Sequence, residues 1–364
     1  MSRLVFLFFS FIMKGNCGKG GAPVERRLTS YTGCMLLFAA GDGLGFGPEP
    51  VNGYLPTTAY TQMAAYAANG LLVGLTRGQL SGAMAPPVRY VAMALKEWAG
   101  LQLWRQEAPA CWISRSPRLD YRRCPEPELL DVLAAGTLGT MEEHHSRLSG
   151  PGALMAAVSV GLFFDPVRLP RREIQRLGAE AAALTHGDPA AFLSGAALAH
   201  IISRIAWDGE RDLDRLVREA GAMLLRRFGR EYHQVWGLRR ILKRVRTLAR
   251  SETVDRETAL AELGREKAYQ ILAGALYCCL TDRDDPQRAV TAAAGWSGPG
   301  AAVAGAILGA VCGEEALPES WLEQLECAEV LRELAQDLFR GCPMMKGNRV
   351  FDVEWDAKYD SEAL

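Results

Sequence analysis

Residues 188–206 read DPAAFLSGAALAHIISRIA, and this stretch sets the fold class. Asp188 is a good helix N-cap, and Pro189 suits the first helical position because its missing N–H has no partner there anyway. The residues after it are rich in Ala, Leu and Ile, with no breaker that would end a helix. The pattern repeats outward in both directions. In residues 211–227, Leu213, Leu216, Val217, Ala220, Met223 and Leu224 keep a clean helical period. Upstream, residues 88–99 (VRYVAMALKEWA) and 127–135 continue in the same style. Downstream, residues 266–280 and 301–312 carry the small residues of tightly packed helices, and residues 321–340 (WLEQLECAEVLRELAQDLFR) predict one amphipathic helix behind Pro318. Alternating β-branched stretches are scarce. The reading is an all-α, multi-helix domain over residues 26–342, preceded by a disordered extension (1–25) and succeeded by a tail without helical period (343–364).

Composition narrows the class further. The 364 residues include 42 acids and 41 bases, with 49% hydrophobic and 23% charged. That is ordinary globular material, too apolar and too close to neutral for a disordered chain. It carries no general basic bias toward nucleic acid. The nine cysteines are scattered and odd in number, and no Cys/His spacing suits zinc. A reducing, cytoplasmic setting is therefore expected. Residues 4–13 (LVFLFFSFIM) are about half the roughly 20 residues of a membrane span, and no small-residue cleavage site comes after them. They are expected as a loose extension, or as residues ahead of a true start at Met13, so no membrane partner is expected. Residues 239–250 (RRILKRVRTLAR) put Ile241, Leu242, Val245 and Leu248 on one face; the basic remainder reads as a solvated helix face, not a nucleic-acid surface.

The loops carry the chemistry. GCMLLFAAGDGLG (33–45) precedes Glu49; TTAYTQM occupies 57–63; GPGALMAAVSVGLFF occupies 150–164; LTHGDP occupies 184–189. Two C-terminal stretches complete the set, ALYCCLTDRDDPQRAVTAAA (275–294) and GAILGAVCGEEALPESWL (305–322). In this order, over roughly residues 30–340, they resemble the motifs of the ADP-ribosylglycohydrolase family. The resemblance implies an orthogonal all-α bundle that cleaves the N- or O-glycosidic bond joining ADP-ribose to an acceptor. It also implies two magnesium ions held by a Thr-Asp-Asp and a C-terminal Asp-x-Asp-Thr/Ser. Such ions want hard oxygen ligands, and carboxylates offset their charge.

This chain departs from that pattern. Thr58 is kept, but Ala59 and Tyr60 stand at the two aspartates, and Pro299 and Gly300 stand in the second metal loop, which is shortened. Alanine has no ligand atom, and a phenol is a poor neutral ligand. Asp282, Asp284 and Asp285 belong to a neighbouring loop. Ala156 replaces the arginine after the loop methionine, Ser159 replaces a proline, and Pro151 interrupts the glycine loop. No cofactor is expected.

By position, Glu49 is the remnant of the acid near the scissile bond, a general base or a ribose ligand, or else a plain loop glutamate. Gly150, Gly152 and Ala153 lead into a helix whose free N–H groups suit a pyrophosphate, although Pro151 removes one of them. His186 is expected at ADP-ribose, or else as a packing residue. Asp42 is expected to tie loops together. His144 and His145 read as surface residues. Tyr60 and Trp296 are expected at the old cleft, either stacked on an adenine or filling it. The reading is a degenerate member that binds ADP-ribose or an ADP-ribosylated protein without efficient cleavage. The alternatives are a structural or interaction protein that keeps only the bundle, and an atypical hydrolase with a rebuilt site.

Overall fold

The computed structural model describes residues 27–47, 50–82, 85–104, 111–116, 118–123, 125–163, 170–344 and 352–359. Residues 4–13 and Glu49 lie outside them. In chain order the helices are α1 (Leu28–Phe46), α2 (Ala59–Ser81), α3 (Pro87–Gln102), α4 (Pro127–Ala134), α5 (Met155–Phe163) and α6 (Arg171–Ala183). Next come α7 (Pro189–Asp208), α8 (Leu213–Phe228), α9 (Gln234–Ala249), α10 (Arg256–Leu263), α11 (Ala268–Thr281) and α12 (Pro286–Trp296). The chain closes with α13 (Gly298–Cys312), α14 (Glu319–Gln324), α15 (Ala328–Arg340) and α16 (Val353–Tyr359). Among the described residues, β structure is limited to the isolated bridges Val51–Tyr54 and Leu55–Leu325. The fold is all-α, as the sequence predicts.

α7 starts as expected: Asp188 accepts hydrogen bonds from the N–H groups of Ala190 and Ala191, and Pro189 fills the first turn. It ends at Gly209, whose φ of 65° suits a residue without a Cβ. By length and composition α7 is apolar enough to cross a membrane, yet 83% of that stretch is buried inside the bundle. It is the central core helix.

A second core element is the pair α1 and α13. They run antiparallel in backbone contact, with Gly33 on Gly309, Leu37 on Gly305, Gly41 on Ala301 and Gly45 on Gly298. A Cβ at Gly305 would sit 2.0 Å from the Leu37 carbonyl oxygen, and one at Gly309 would sit 2.0 Å from that of Gly33. The glycines of the GCMLLFAAGDGLG stretch therefore serve close helix packing.

Two expectations are corrected. The predicted helix over 321–340 breaks into α14 and α15. Leu55 N–H donates to the Gln324 carbonyl at 2.7 Å, and the turn that results aims Glu326 inward, where it binds Thr57 and Arg123. The stretch expected as a tail without helical period contains α16. Trp355 and Tyr359 are buried; Trp355 Nε1 donates to Thr76 Oγ1 at 2.8 Å and Tyr359 OH donates to Asp337 at 2.7 Å. Two aromatic anchors are enough to dock seven residues that have no long period.

Candidate functional site

The site forms where α2 begins. Thr58 is the N-cap of α2, and its Oγ1 accepts from the Tyr60 N–H at 3.1 Å. The buried Asp42 of α1 completes the cap. Its carboxylate accepts from Thr58 N–H (2.8 Å), Thr58 Oγ1 (2.7 Å), Thr61 N–H (3.2 Å) and Thr61 Oγ1 (2.6 Å). Burial pushes the Asp42 pKa up, while the four donors favour the charged form. The expectation that Asp42 ties segments together holds. One residue earlier, Thr57 donates its N–H and Oγ1 to Glu326 at 2.7 and 3.0 Å, and Arg123 pairs with the same oxygen at 2.6 Å.

These ties fix the floor of a cavity of about 460 Å³, lined by Phe46, Thr58, Tyr60, Arg122, Arg123 and Gly152 among others. That is within the ~300–1,000 Å³ usual for small-molecule sites. Burial, then the acids Glu126 and Asp42, push the Tyr60 phenol far above its ordinary value, so it is a neutral hydroxyl at physiological pH. Glu126 stands at the rim beside Gly150; a Cβ on that glycine would lie 3.7 Å from both carboxyl oxygens. Partial burial and then Glu128 raise the Glu126 carboxyl. Arg123 keeps one buried Nε–H without a partner among the described residues.

The residues at the two metal motifs do not fit a magnesium pair. Thr58 Oγ1 donates its proton to Asp42, the Ala59 side chain offers no oxygen, and the Tyr60 phenol is neutral. Pro299 and Gly300 are in the first turn of α13, where Gly298 packs on Gly45 and Trp296 covers Gly300. Asp282 is buried and paired to Arg256 at 2.5 Å and Arg288 at 3.0 Å, and Asp285 caps α12. No group of three or more His, Cys, Asp or Glu placed to hold a metal occurs among the described residues.

The other expected residues divide. Gly152 reaches the cavity, whereas Ala153 is fully buried and does not line it. His186 packs behind Gly152 and is 1% exposed, its Nδ1 2.8 Å from Thr185 Oγ1. Burial lowers its pKa to about 4, so the ring is neutral. Trp296 is not a lining residue: its ring lies over Gly274 and Gly300. On α9, Leu242, Val245 and Leu248 are buried, and Arg244 and Arg246 pair with Glu262 and Asp214.

A family model described as ADP-ribosylglycohydrolase matches residues 23–347. The chain belongs to the ADP-ribosylglycohydrolase family. It is 29% identical to a Bos taurus protein named ADP-ribosylhydrolase ARH3 over 217 residues, 52% of this chain and 57% of that relative. The match thus spans little more than half the length of the curated relative. A solved structure titled ADP-ribosylglycohydrolase-related protein complex superposes with a TM-score of 0.59 at 21% identity, covering 87% of this chain and 99% of that one. This likeness concerns the fold alone.

For this ADP-ribosylglycohydrolase family member, the cavity residues that sequence reasoning misses include Phe46, Arg122, Arg123 and Glu126. The only local signal is the run RRCPEPE (122–128), where adjacent cations precede two prolines and two acids. Glu326 is hidden because a helical period runs straight through it.

Proposed function

We propose that the protein binds ADP-ribose, free or attached to a protein, in the cavity at the start of α2 without cleaving it efficiently. The observation that carries this reading is the pairing of an open cavity of about 460 Å³ with a floor that offers no charged oxygen at residues 58–60. Family chemistry needs carboxylates to hold its ions, and here the cap carboxylate of Asp42 is engaged by four donors instead. The cations at this cavity are Arg122 and Arg123, which suits a diphosphate without a metal.

Calorimetry with ADP-ribose, first in EDTA and then in millimolar magnesium, tests the reading. Binding that does not change on adding magnesium, with no ADP-ribose released from a modified protein, is the expected result. Magnesium-dependent release would restore an active hydrolase. The Tyr60 ring in the cavity favours a second reading, a structural protein with a filled cleft. If wild type binds nothing and Tyr60→Ala binds nothing either, that second reading replaces the first. A slow release that survives EDTA and is lost in Glu49→Gln would support the rebuilt hydrolase.

A further inference from the structure

The mouth of the cavity differs from the remaining surface in composition. Trp104 (75% exposed), Phe46 (68%), Val51 (55%), Tyr121 (48%) and Tyr54 (42%) are half of the large hydrophobic side chains exposed among the described residues. Ring–guanidinium contacts tie Tyr54 to Tyr121 through Arg118, and Trp104 to Arg122. The Arg118 guanidinium lies 4.5 Å from the Tyr54 ring centre and 5.6 Å from that of Tyr121. Arg123 lies 5.6 Å from Tyr121, and Arg122 lies 4.8 Å from Trp104. Phe46, Arg122 and Arg123 also line the cavity, so the aromatic and cationic rim is continuous with it. The three non-glycine residues with left-handed backbone among those described, Asn52, Trp104 and Arg118, all fall in these rim loops.

Exposed Trp and Tyr beside the exposed Arg122 and the half-buried Arg118 are the kinds of side chain that dominate protein interfaces. Arg118 and Arg122 have no carboxylate partner among the described residues; Arg122 uses its Nε to donate to the Gln102 carbonyl at 2.7 Å. The acids on the same loop, Asp120 and Glu126, form no ion pair with either. Each guanidinium lies over a ring, which occupies a face where a nucleic-acid base would stack. A guanidinium fork matches carboxylate geometry, and neither Arg118 nor Arg122 spends its terminal nitrogens on a carboxylate among the described residues.

We propose that this rim is a docking surface for an acidic polypeptide segment, held by Arg118 and Arg122 and packed on Tyr54, Tyr121 and Trp104. The proposal deepens the reading above, because such a segment is placed to deliver an attached ADP-ribose to the cavity. Docking itself needs only the rim.

The test is fluorescence anisotropy with a labelled glutamate-rich peptide and its glutamine isostere, with and without saturating ADP-ribose, at low and high salt. Wild type is expected to prefer the glutamate peptide by about tenfold, and to lose that preference at high salt. The double variant Arg118→Gln/Arg122→Gln is expected to bind both peptides alike. The comparison of the two peptides on wild type stands even if that variant folds poorly. Equal binding of the two peptides by wild type, an unchanged preference in a folded double variant, or tighter binding of an oligothymidylate than of the glutamate peptide overturns the proposal. If the peptide binds where ADP-ribose does not, the docking surface stands and the cavity reading falls. The converse result removes the docking surface alone.

Discussion

Helix α1 passes through two opposite environments within one residue. At Gly45 its backbone presses on Gly298 of α13, where a Cβ would come within 2.2 Å of the Gly298 Cα. At Phe46, the next residue, the ring is 68% exposed at the cavity mouth. On the seam side, the glycine contacts are backbone to backbone and leave no room for a side chain. On the mouth side, large rings stand exposed beside half-buried and exposed guanidiniums. The seam is built for stability, because close-packed interiors tolerate almost no change in volume. The mouth is built at some expense of stability, because exposed rings and left-handed non-glycine residues contribute little or nothing to folding. Pro299 and Gly300, expected in the second metal loop, belong to the seam. With α12 and α13 sharing Ser297 as end and cap, and Trp296 lying over Gly300, a stretch that holds ions in the family pattern here extends the helix pair.

The largest effect is expected in the seam. Gly309→Val introduces a β-branched side chain where a Cβ alone would lie 2.0 Å from the Gly33 carbonyl oxygen. Since backbone cannot swing aside as a flexible side chain can, α1 and α13 must separate, at a cost of about 3 kcal/mol or more. Gly237→Ala on α9 is the matched control: a Cβ there meets nothing within 4 Å, so a gain of up to about 1 kcal/mol is expected from helix propensity. Urea unfolding of both variants measures the contrast. Equal stabilities for the two would show that the seam is not under tight packing.

Acid should attack the interior and spare the mouth. Burial lowers the pKa values of both His186 and His200 to about 4. In the unfolded chain an imidazole takes up its proton near pH 6.5. Between pH 4 and 6.5 the unfolded state therefore binds more protons, and stability rises with pH across that window. The contribution is complete above pH 6.5 and is lost as pH falls toward 4, on the order of 3 kcal/mol for each ring. Unfolding curves measured from pH 7 down to 4 should show that slope, and His186→Gln or His200→Gln should flatten it. A slope untouched by both substitutions would mean that other groups carry the acid response.

The same contrast explains what can be read in advance. α7, α8, α9 and the small-residue helices α11 and α13 are legible because buried helices leave a period or a run of Ala and Gly in the sequence. The motif positions Thr58, Ala59, Tyr60 and Gly152 are legible because they sit at fixed places in loops that resemble a known family. Arg122, Arg123 and Glu126 are not legible. They act through tertiary position on a loop with no period, and the run RRCPEPE alone does not distinguish them from ordinary surface charges. Glu326 and the α14–α15 break are obscured by a strong helical pattern, which the bridge between Leu55 and Leu325 overrides from the far end of the chain. His186 falls at the motif position its sequence suggests, but its side chain points to the packing behind Gly152 because the loop hydroxyl of Thr185 and a glycine give it a buried niche.

The smallest effect is expected at the mouth. Trp104 is 75% exposed and holds a φ of 58°, a conformation costly for any residue with a Cβ. Trp104→Gly removes that strain and also removes the stacking of Arg122, which at an exposed site is worth about 0.5–1 kcal/mol. The backbone term is of similar size and opposite sign. Stability should therefore stay within about 0.5 kcal/mol of wild type in the urea assay used for the seam. A loss above about 2 kcal/mol would place Trp104 among the packed residues and erase the contrast between seam and mouth. If stability holds while affinity for the glutamate peptide drops, the ring is present for something outside this chain, because nothing within the described fold requires a tryptophan there.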